Sequence, residues 1–272
     1  VMGMEAFAEA AVAAARATVP EAWHVTGLSQ VEFAAPFKLY RDEPRTVRVE
    51  ARLESHGDEL VAQCRLVGRR RPAGLDHDVE TVCFTGRVWL GRTPLVATPA
   101  PALPEVGERA VTAEDIYRVY FHGPAYQVLD AVLAAPMDGD RVAAPLAAVG
   151  PVKADLPPNH DPARGDTVLA PRLMEACFQV EGVRAIGRTG ALALPALVES
   201  VDWFGGEPSG ALTAVVEPAA PGGPATAWVV DGEGRLVLRM EGYRTVESPG
   251  AIEPERVAPF AAVFGEGSGD AD

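Results

Sequence analysis

Apolar and polar positions along the chain follow two periods, and they predict helices and strands in a repeated order. Met4, Phe7, Ala8, Ala11 and Ala15 recur at helical spacing, and Pro20 ends the run. This helix opens without a capping residue or a loop before it, so a chain continuing upstream of Val1 is the expectation. Leu28–Leu39 reads as extended. In Arg45–Glu54 the alternation is strict, with Val47, Val49, Ala51 and Leu53 on one face and Arg48, Glu50, Arg52 and Glu54 on the other. His56-Gly57-Asp58 is a turn, and Leu60, Ala62, Cys64 and Leu66 mark the return strand. A third strand carries Val82, Phe84, Val88 and Leu90.

Thr93–Glu108 is rich in Pro and Ala and has no period, which makes it a linker. Beyond it the order repeats. Leu169–Ile186 is helical, and strands follow at Leu192–Phe204, Ala211–Glu217, Ala225–Val230 and Arg235–Val246. Asp231-Gly232-Glu233-Gly234 is a strong hairpin turn. The expected division is a first unit over 1–98, a linker over 99–112, a second unit over 113–247 and a flexible, Gly/Pro- and acid-rich tail over 248–272. A long helix followed by antiparallel strands is not the alternation of a parallel sheet. It is an α+β pattern, two antiparallel sheets each wrapped around a long central helix, although the halves share negligible sequence identity. A single undivided α+β domain is the alternative.

Composition narrows the partners. The apolar share of 48% supports a sizeable core. With 24 Lys and Arg against 38 Asp and Glu, the net charge of −14 argues against nucleic acid and against an anionic membrane surface. No apolar run reaches the ~18 residues of a membrane-spanning helix, and no secretory leader pattern is visible. Cys64, Cys83 and Cys177 lack metal-ligand spacing and cannot all pair, so they read as reduced core residues of a cytoplasmic protein.

The sharpest local signal is Arg172-Leu173-Met174-Glu175-Ala176-Cys177-Phe178-Gln179. Glu175 and Gln179 are four apart and share a helix face. Leu173, Cys177, Val180 and Val183 would bury that helix, and a buried carboxyl has a raised pKa that suits a general acid. Gln179 would orient the acid or a substrate oxygen. An exposed glutamate on an amphipathic helix is the alternative. A second signal is Tyr117–Gln127, where aromatics surround Gly123-Pro124. It suits a rigid lip over a narrow apolar pocket, or an aromatic turn packed on the core. His122, beside this lip, is the best of the five histidines as a base, though packing or a contact to a substrate arm is the stronger reading. His160 sits in the loop Pro157–Pro162, and His24, His56 and His77 fall in turns or loops. Arg69-Arg70-Arg71 reads as a solvated loop before it reads as a docking site for an acidic partner. Trp203 reads as a core residue before it reads as a pocket wall.

The segment Tyr117…Phe121-His122-Gly123-Pro124-Ala125-Tyr126-Gln127 resembles the motif that opens the second half of polyketide synthase dehydratase domains. Glu175-Ala-Cys-Phe-Gln179 lies where that family carries Asp-x-x-x-Gln or Asp-x-x-x-His. Val1–Ala11 is similar to the helix that follows the Pro-Gly of the family's first half. The resemblance spans about 250 residues, and its flavour is that of iterative synthases, the enediyne type in particular. It implies a double hotdog fold. It also implies removal of water from a 3-hydroxyacyl thioester on an acyl carrier protein, giving a 2-enoyl thioester in antibiotic-type polyketide biosynthesis. A first-half His takes the C2 proton and a second-half acid protonates the C3 hydroxyl. The resemblance makes Glu175 and Gln179 catalytic, and Tyr117, Phe121, His122, Gly123, Pro124 and Tyr126 substrate-binding. It implies no metal and no cofactor beyond the carrier's phosphopantetheine. The implied partners are the acyl carrier protein, other synthase domains and a second copy in a homodimer.

Two departures stand out. The family's His-x-x-x-Gly-x-x-x-x-Pro motif would precede Val1. Glu175 also stands where Asp is usual, and a misplacement of ~1 Å can cost ~100-fold in rate. A degenerate hotdog scaffold and a hotdog thioesterase or product template domain are therefore the competing readings.

Overall fold

The computed structural model describes residues 1–37, 46–71, 76–135, 141–147, 167–220 and 222–265. Leu39, Arg45, the loop with His160 and the end of the chain from 266 lie outside the described residues.

Helix α1 (Met2–Thr18) buries Met4, Phe7, Ala8, Ala11 and Ala15, the stripe that its sequence predicts. Its alanines let it lie close on a four-stranded antiparallel sheet of β1 (His24–Phe33), β2 (Val47–His56), β3 (Glu59–Arg70) and β4 (Val79–Gly91). Their order is β2-β3-β4-β1. On the outer face of edge strand β2, Arg48 holds Glu80 through two hydrogen bonds of 2.9 Å, and Glu50 accepts from Arg65 at 2.8 Å. Charges on an edge strand discourage pairing with another chain. Arg69 and Arg71 both pair with Asp78, as a solvated surface cluster does.

The second half contains β5 (Ala110–Thr112), α2 (Ala113–Val119), β6 (Ala131–Ala134), β7 (Val142–Pro145), α3 (Pro171–Thr189), β8 (Ala193–Trp203), β9 (Thr213–Pro218), β10 (Ala225–Val230), β11 (Leu236–Glu247) and α4 (Pro254–Phe264). Helix α3 is buried nearly all round, Gln179, Glu181 and Arg184 included, and Arg184 holds the Glu181 carboxylate through hydrogen bonds of 2.8 and 2.7 Å. Pro171 starts it, and Gly190, at φ 73°, closes it in the left-handed conformation. The two expected sheets are joined edge to edge. Strand β1 pairs with β8, from Gly27 opposite Asp202 to Glu32 opposite Leu197, which makes one sheet of eleven strands among the described residues. Each half is still an antiparallel sheet curled over its own helix.

Two expectations need correction. The expected flexible tail carries α4, whose Phe260, Val263 and Phe264 are buried in the core. Gly187 of α3 allows this contact, because a Cβ there would meet the Phe260 carbonyl oxygen and the Phe264 side chain. The expected linker ends in β5, and its earlier part is pinned to the sheet. Ala100 N donates to Gly234 O at 2.9 Å, and Leu236 N donates to Thr98 O at 2.8 Å.

The halves are also tied through Glu5. Its carboxylate, buried on α1, accepts from Val168 N at 2.6 Å and Leu169 N at 2.9 Å, just ahead of α3. Cys64, Cys83 and Cys177 are free and buried, and Trp203 is a core residue. None of the described helices is long and apolar enough to cross a membrane.

Candidate active site

The site forms where α2, α3 and the β1–β8 seam converge. Thr112 caps α2 by accepting from Asp115 N. The chain then runs extended through Tyr120–His122 before Gly123-Pro124 starts a single 3-10 turn, Pro124–Tyr126. Gln127 Nε2 donates to His122 O at 3.0 Å and fixes that bend. This places His122 over the first turns of α3.

Glu175 and His122 meet directly. The Nε2–Oε1 distance is 2.9 Å, and the two side chains are only 13% and 16% exposed. Gln179, four residues on, donates its amide to Glu175 Oε1 at 3.3 Å and to Tyr126 O at 2.8 Å. Its oxygen accepts from the Tyr117 hydroxyl at 3.0 Å. That hydroxyl accepts in turn from Leu129 N at 2.8 Å, and Tyr120 donates to Gln179 O at 3.1 Å. Both contacts to the Glu175 carboxyl fall on Oε1. Among the described residues Oε2 has no hydrogen-bond partner.

Beside Glu175 is a cavity of about 590 Å³, within the range of small-molecule sites. Phe33, Phe84, Phe178, Tyr120 and Tyr243 supply aromatic walls, with Leu192, Leu194 and Val246 beyond them. Phe178 lies 4.9 Å from Tyr243 and 6.0 Å from Phe33, ring centre to ring centre. Glu175, Gln179, His122 and Val1 complete the lining, and Phe121, 76% exposed, stands at the rim.

The electrostatics differ from the expected raised acid. Burial is the largest influence on Glu175 and pushes its pKa upward. The His122 hydrogen bond, the amino group of Val1, the His122 charge and the Gln179 hydrogen bond together outweigh it, and the carboxyl lies below its ordinary value. In a longer polypeptide a neutral peptide group replaces that amino charge, and His122 remains the main opponent of burial. Burial pushes the Tyr117 phenol up to about 12, and those of Tyr120 and Tyr243 well above the ordinary value. Burial likewise pushes the Cys177 thiol up to about 12. These groups stay neutral around the carboxylate.

The structure therefore brings Glu175, Gln179, Phe121 and His122 to one chamber. Tyr117, Gly123, Pro124 and Tyr126 do not line it. They stand behind the wall, because the Tyr117 hydroxyl is committed to Gln179 and Leu129, while Gly123-Pro124 shapes the bend. Tyr126 presents its carbonyl to Gln179 and its hydroxyl to Met2 Sδ. Gln179 has its amide engaged by Tyr126 O and Glu175 Oε1 and its oxygen by the Tyr117 hydroxyl. The aromatic walls were not singled out from the sequence, since inward strand positions read alike whether they face a core or a cavity. Among the described residues no cluster of His, Cys, Asp and Glu is arranged to hold a metal.

Comparison with solved structures finds the same architecture. The dehydratase domain of the CurF module of curacin polyketide synthase superposes with a TM-score of 0.65, at 17% identity, over 86% of this chain and 80% of that one. A trans-AT polyketide synthase dehydratase domain from Brevibacillus brevis gives 0.64 at 20% identity, over 90% and 83%. CurK dehydratase, solved as an inactive Asp-to-Asn mutant, gives 0.60 at 16% identity, over 88% and 82%. These likenesses identify the fold as a double hotdog. No curated protein sequence matches the chain. A family model described as the polyketide synthase dehydratase N-terminal domain matches residues 96–255, more than half of the chain and most of its second half, α2 and α3 included. With that match, the chain belongs to the polyketide synthase dehydratase family.

Proposed function

We propose that this domain removes water from a 3-hydroxyacyl thioester carried on the phosphopantetheine of an acyl carrier protein, with Glu175 as the general acid. The observation that carries the reading is a carboxyl only 13% exposed, at the wall of an aromatic chamber, with Oε2 left unengaged among the described residues. Oε2–H gives its proton to the C3 hydroxyl as the C3–O bond breaks. A base removes the C2 proton, the C2–C3 double bond forms, and water departs. Proton transfer alone suffices, so the step calls for no metal or redox group. Apolar walls strengthen each electrostatic contact inside the chamber and keep solvent from the reacting atoms. The inactive Asp-to-Asn CurK dehydratase supports a role for a single carboxyl in this fold.

The family resemblance assigns the base to a His preceding Val1. Val1 itself lines the chamber, so residues just upstream would begin at its wall. A polypeptide including them should show the His-x-x-x-Gly-x-x-x-x-Pro motif. Supplied with a 3-hydroxyacyl pantetheine thioester, it should accumulate the enoyl thioester, read by mass spectrometry as loss of water. Release of free thiol would instead indicate a thioesterase, and an unchanged thioester a scaffold. Either result overturns the proposal.

A further inference from the structure

Resting on the reading of Glu175 as the acid, we infer that His122 is a positioning residue that reserves Oε2 for the transferable proton and stabilises the carboxylate left after transfer. The geometry supports each part. Nε2 lies 2.9 Å from Oε1, and Gln179 Nε2 approaches the same oxygen at 3.3 Å. Two donors on one oxygen make Oε1 the acceptor and leave Oε2 as the one oxygen free to carry and release a proton. The ring has little freedom to leave this position. Phe121 stacks on it with centroids 4.9 Å apart and planes 20° apart, and Tyr120 meets it edge-on at 5.3 Å. Gln127 holds the His122 carbonyl. The other ring nitrogen, Nδ1, is buried with no hydrogen-bond partner among the described residues. Among the described residues the polar contact of the ring is therefore with Glu175, and the carboxylate sets its orientation.

The chemical consequence is a tuned acid. A carboxyl in an apolar chamber with nothing opposing burial holds its proton tightly and donates it poorly. A hydrogen bond to the charged form favours it and strengthens the acid. The lowered pKa of Glu175, with His122 the leading opponent of burial, agrees with this role. The other titratable groups facing the carboxyl are the Val1 amino group at the start of α1, Tyr117 and Tyr120 beside α2, Cys177 on α3 and Tyr243 on β11. The tyrosines and the thiol are neutral and unchanged in the comparison below, and the amino group contributes equally to both forms.

The test compares the wild type with His122→Phe, which keeps an aromatic ring between Phe121 and Tyr120 but removes the donor, and with His122→Gln, which restores an N–H. On the acidic plateau of kcat, where Glu175 is protonated in both proteins, dehydration should slow about 10–100-fold in His122→Phe, the loss expected of a hydrogen bond to a charged group. The alkaline limb of kcat should move to higher pH, because burial has then lost its leading opponent. His122→Gln should recover part of the rate and bring the limb back. A ring needed only for packing would lower the rate without moving the limb. Isotope-edited infrared titration of the Glu175 carboxyl needs no turnover. Its protonated band should persist to higher pH in His122→Phe than in the wild type. An unchanged midpoint in an active enzyme overturns the inference. A raised midpoint in a wild-type domain that dehydrates nothing overturns the proposed function and leaves the coupling of the two side chains standing.

Discussion

Gly182 lies on α3 against Tyr120, and a Cβ there would run into the Tyr120 hydroxyl and approach Cζ at 3.3 Å. That hydroxyl is buried and donates to Gln179 O. Gly182→Ala must therefore push the tyrosine away from its hydrogen bond and from the ring of His122. A buried hydroxyl stripped of its partner costs about 1–3 kcal/mol. Overpacking in a close-fitted core costs about 1–3 kcal/mol more. Alanine inside a helix returns about 0.5–1 kcal/mol relative to glycine. The net loss is about 2–4 kcal/mol, or a fall in Tm of about 5–15 °C for a chain of this size. Tyr120→Phe removes the colliding oxygen and alone should cost about 1 kcal/mol. In the double variant the Cβ faces only ring carbon, so the pair should be no less stable than Tyr120→Phe by itself. Thermal and urea unfolding of the four proteins measures this coupling, expected at about 2–4 kcal/mol. Additive losses would refute the claim that the hydroxyl is what excludes a side chain at 182.

Three further outcomes follow from the same contacts. Gln179→Leu strands Tyr126 O, the Tyr117 hydroxyl and one support of Glu175, so it should cost about 2–4 kcal/mol in chemical unfolding and lower the dehydration rate as well. Glu5→Ala leaves Val168 N and Leu169 N without their buried acceptors and should cost about 2–4 kcal/mol by the same measurement, while Glu5→Gln keeps one acceptor oxygen but turns its amide donor toward the other N–H and should recover only part of that loss. At Asp231 burial acts upward but is outweighed by hydrogen bonds from the Arg235 backbone and side chain and from Ser209 N and Glu233 N, which hold its pKa at about 2. Because this value is depressed, its contribution is complete above the ordinary value near 3.8 and is lost as pH falls toward 2, so Asp231→Asn should lower Tm at pH 6 and converge with the wild type near pH 2.

The parts of the fold that were legible in the sequence are those whose periods run long enough to read. Strand β10 falls on the expected residues, β2 follows the alternation of Val49, Ala51 and Leu53 against Arg48, Glu50 and Arg52, and the turn at 231–234 joins β10 to β11. Strands β5, β6 and β7 have three or four residues each, too few to show a period. Helix α4 was concealed by composition. Pro259 inside it and the glycines and acids around it suggest a mobile tail, although Phe260, Val263 and Phe264 stand at helical spacing. In the site, the i,i+4 relation of Glu175 and Gln179 was readable on one helix. The contact of Glu175 with His122 was not, because it depends on how the bend after α2 is docked onto α3. The direction of the Glu175 pKa was missed for the same reason, since burial can be anticipated from neighbours in sequence but an opposing ring from another segment cannot.

Replacing Glu175 by Gln exchanges one carboxyl oxygen for an amide while keeping the side chain's length and its place beside His122. Rates for a 3-hydroxyacyl thioester, measured with the wild type and Glu175→Gln side by side with their melting curves, bear on the acid directly. The expected result is a loss of at least ~100-fold in the variant, with Tm kept within a few degrees. Turnover at the wild-type rate by a folded Glu175→Gln domain would contradict the assignment of this carboxyl as the proton donor.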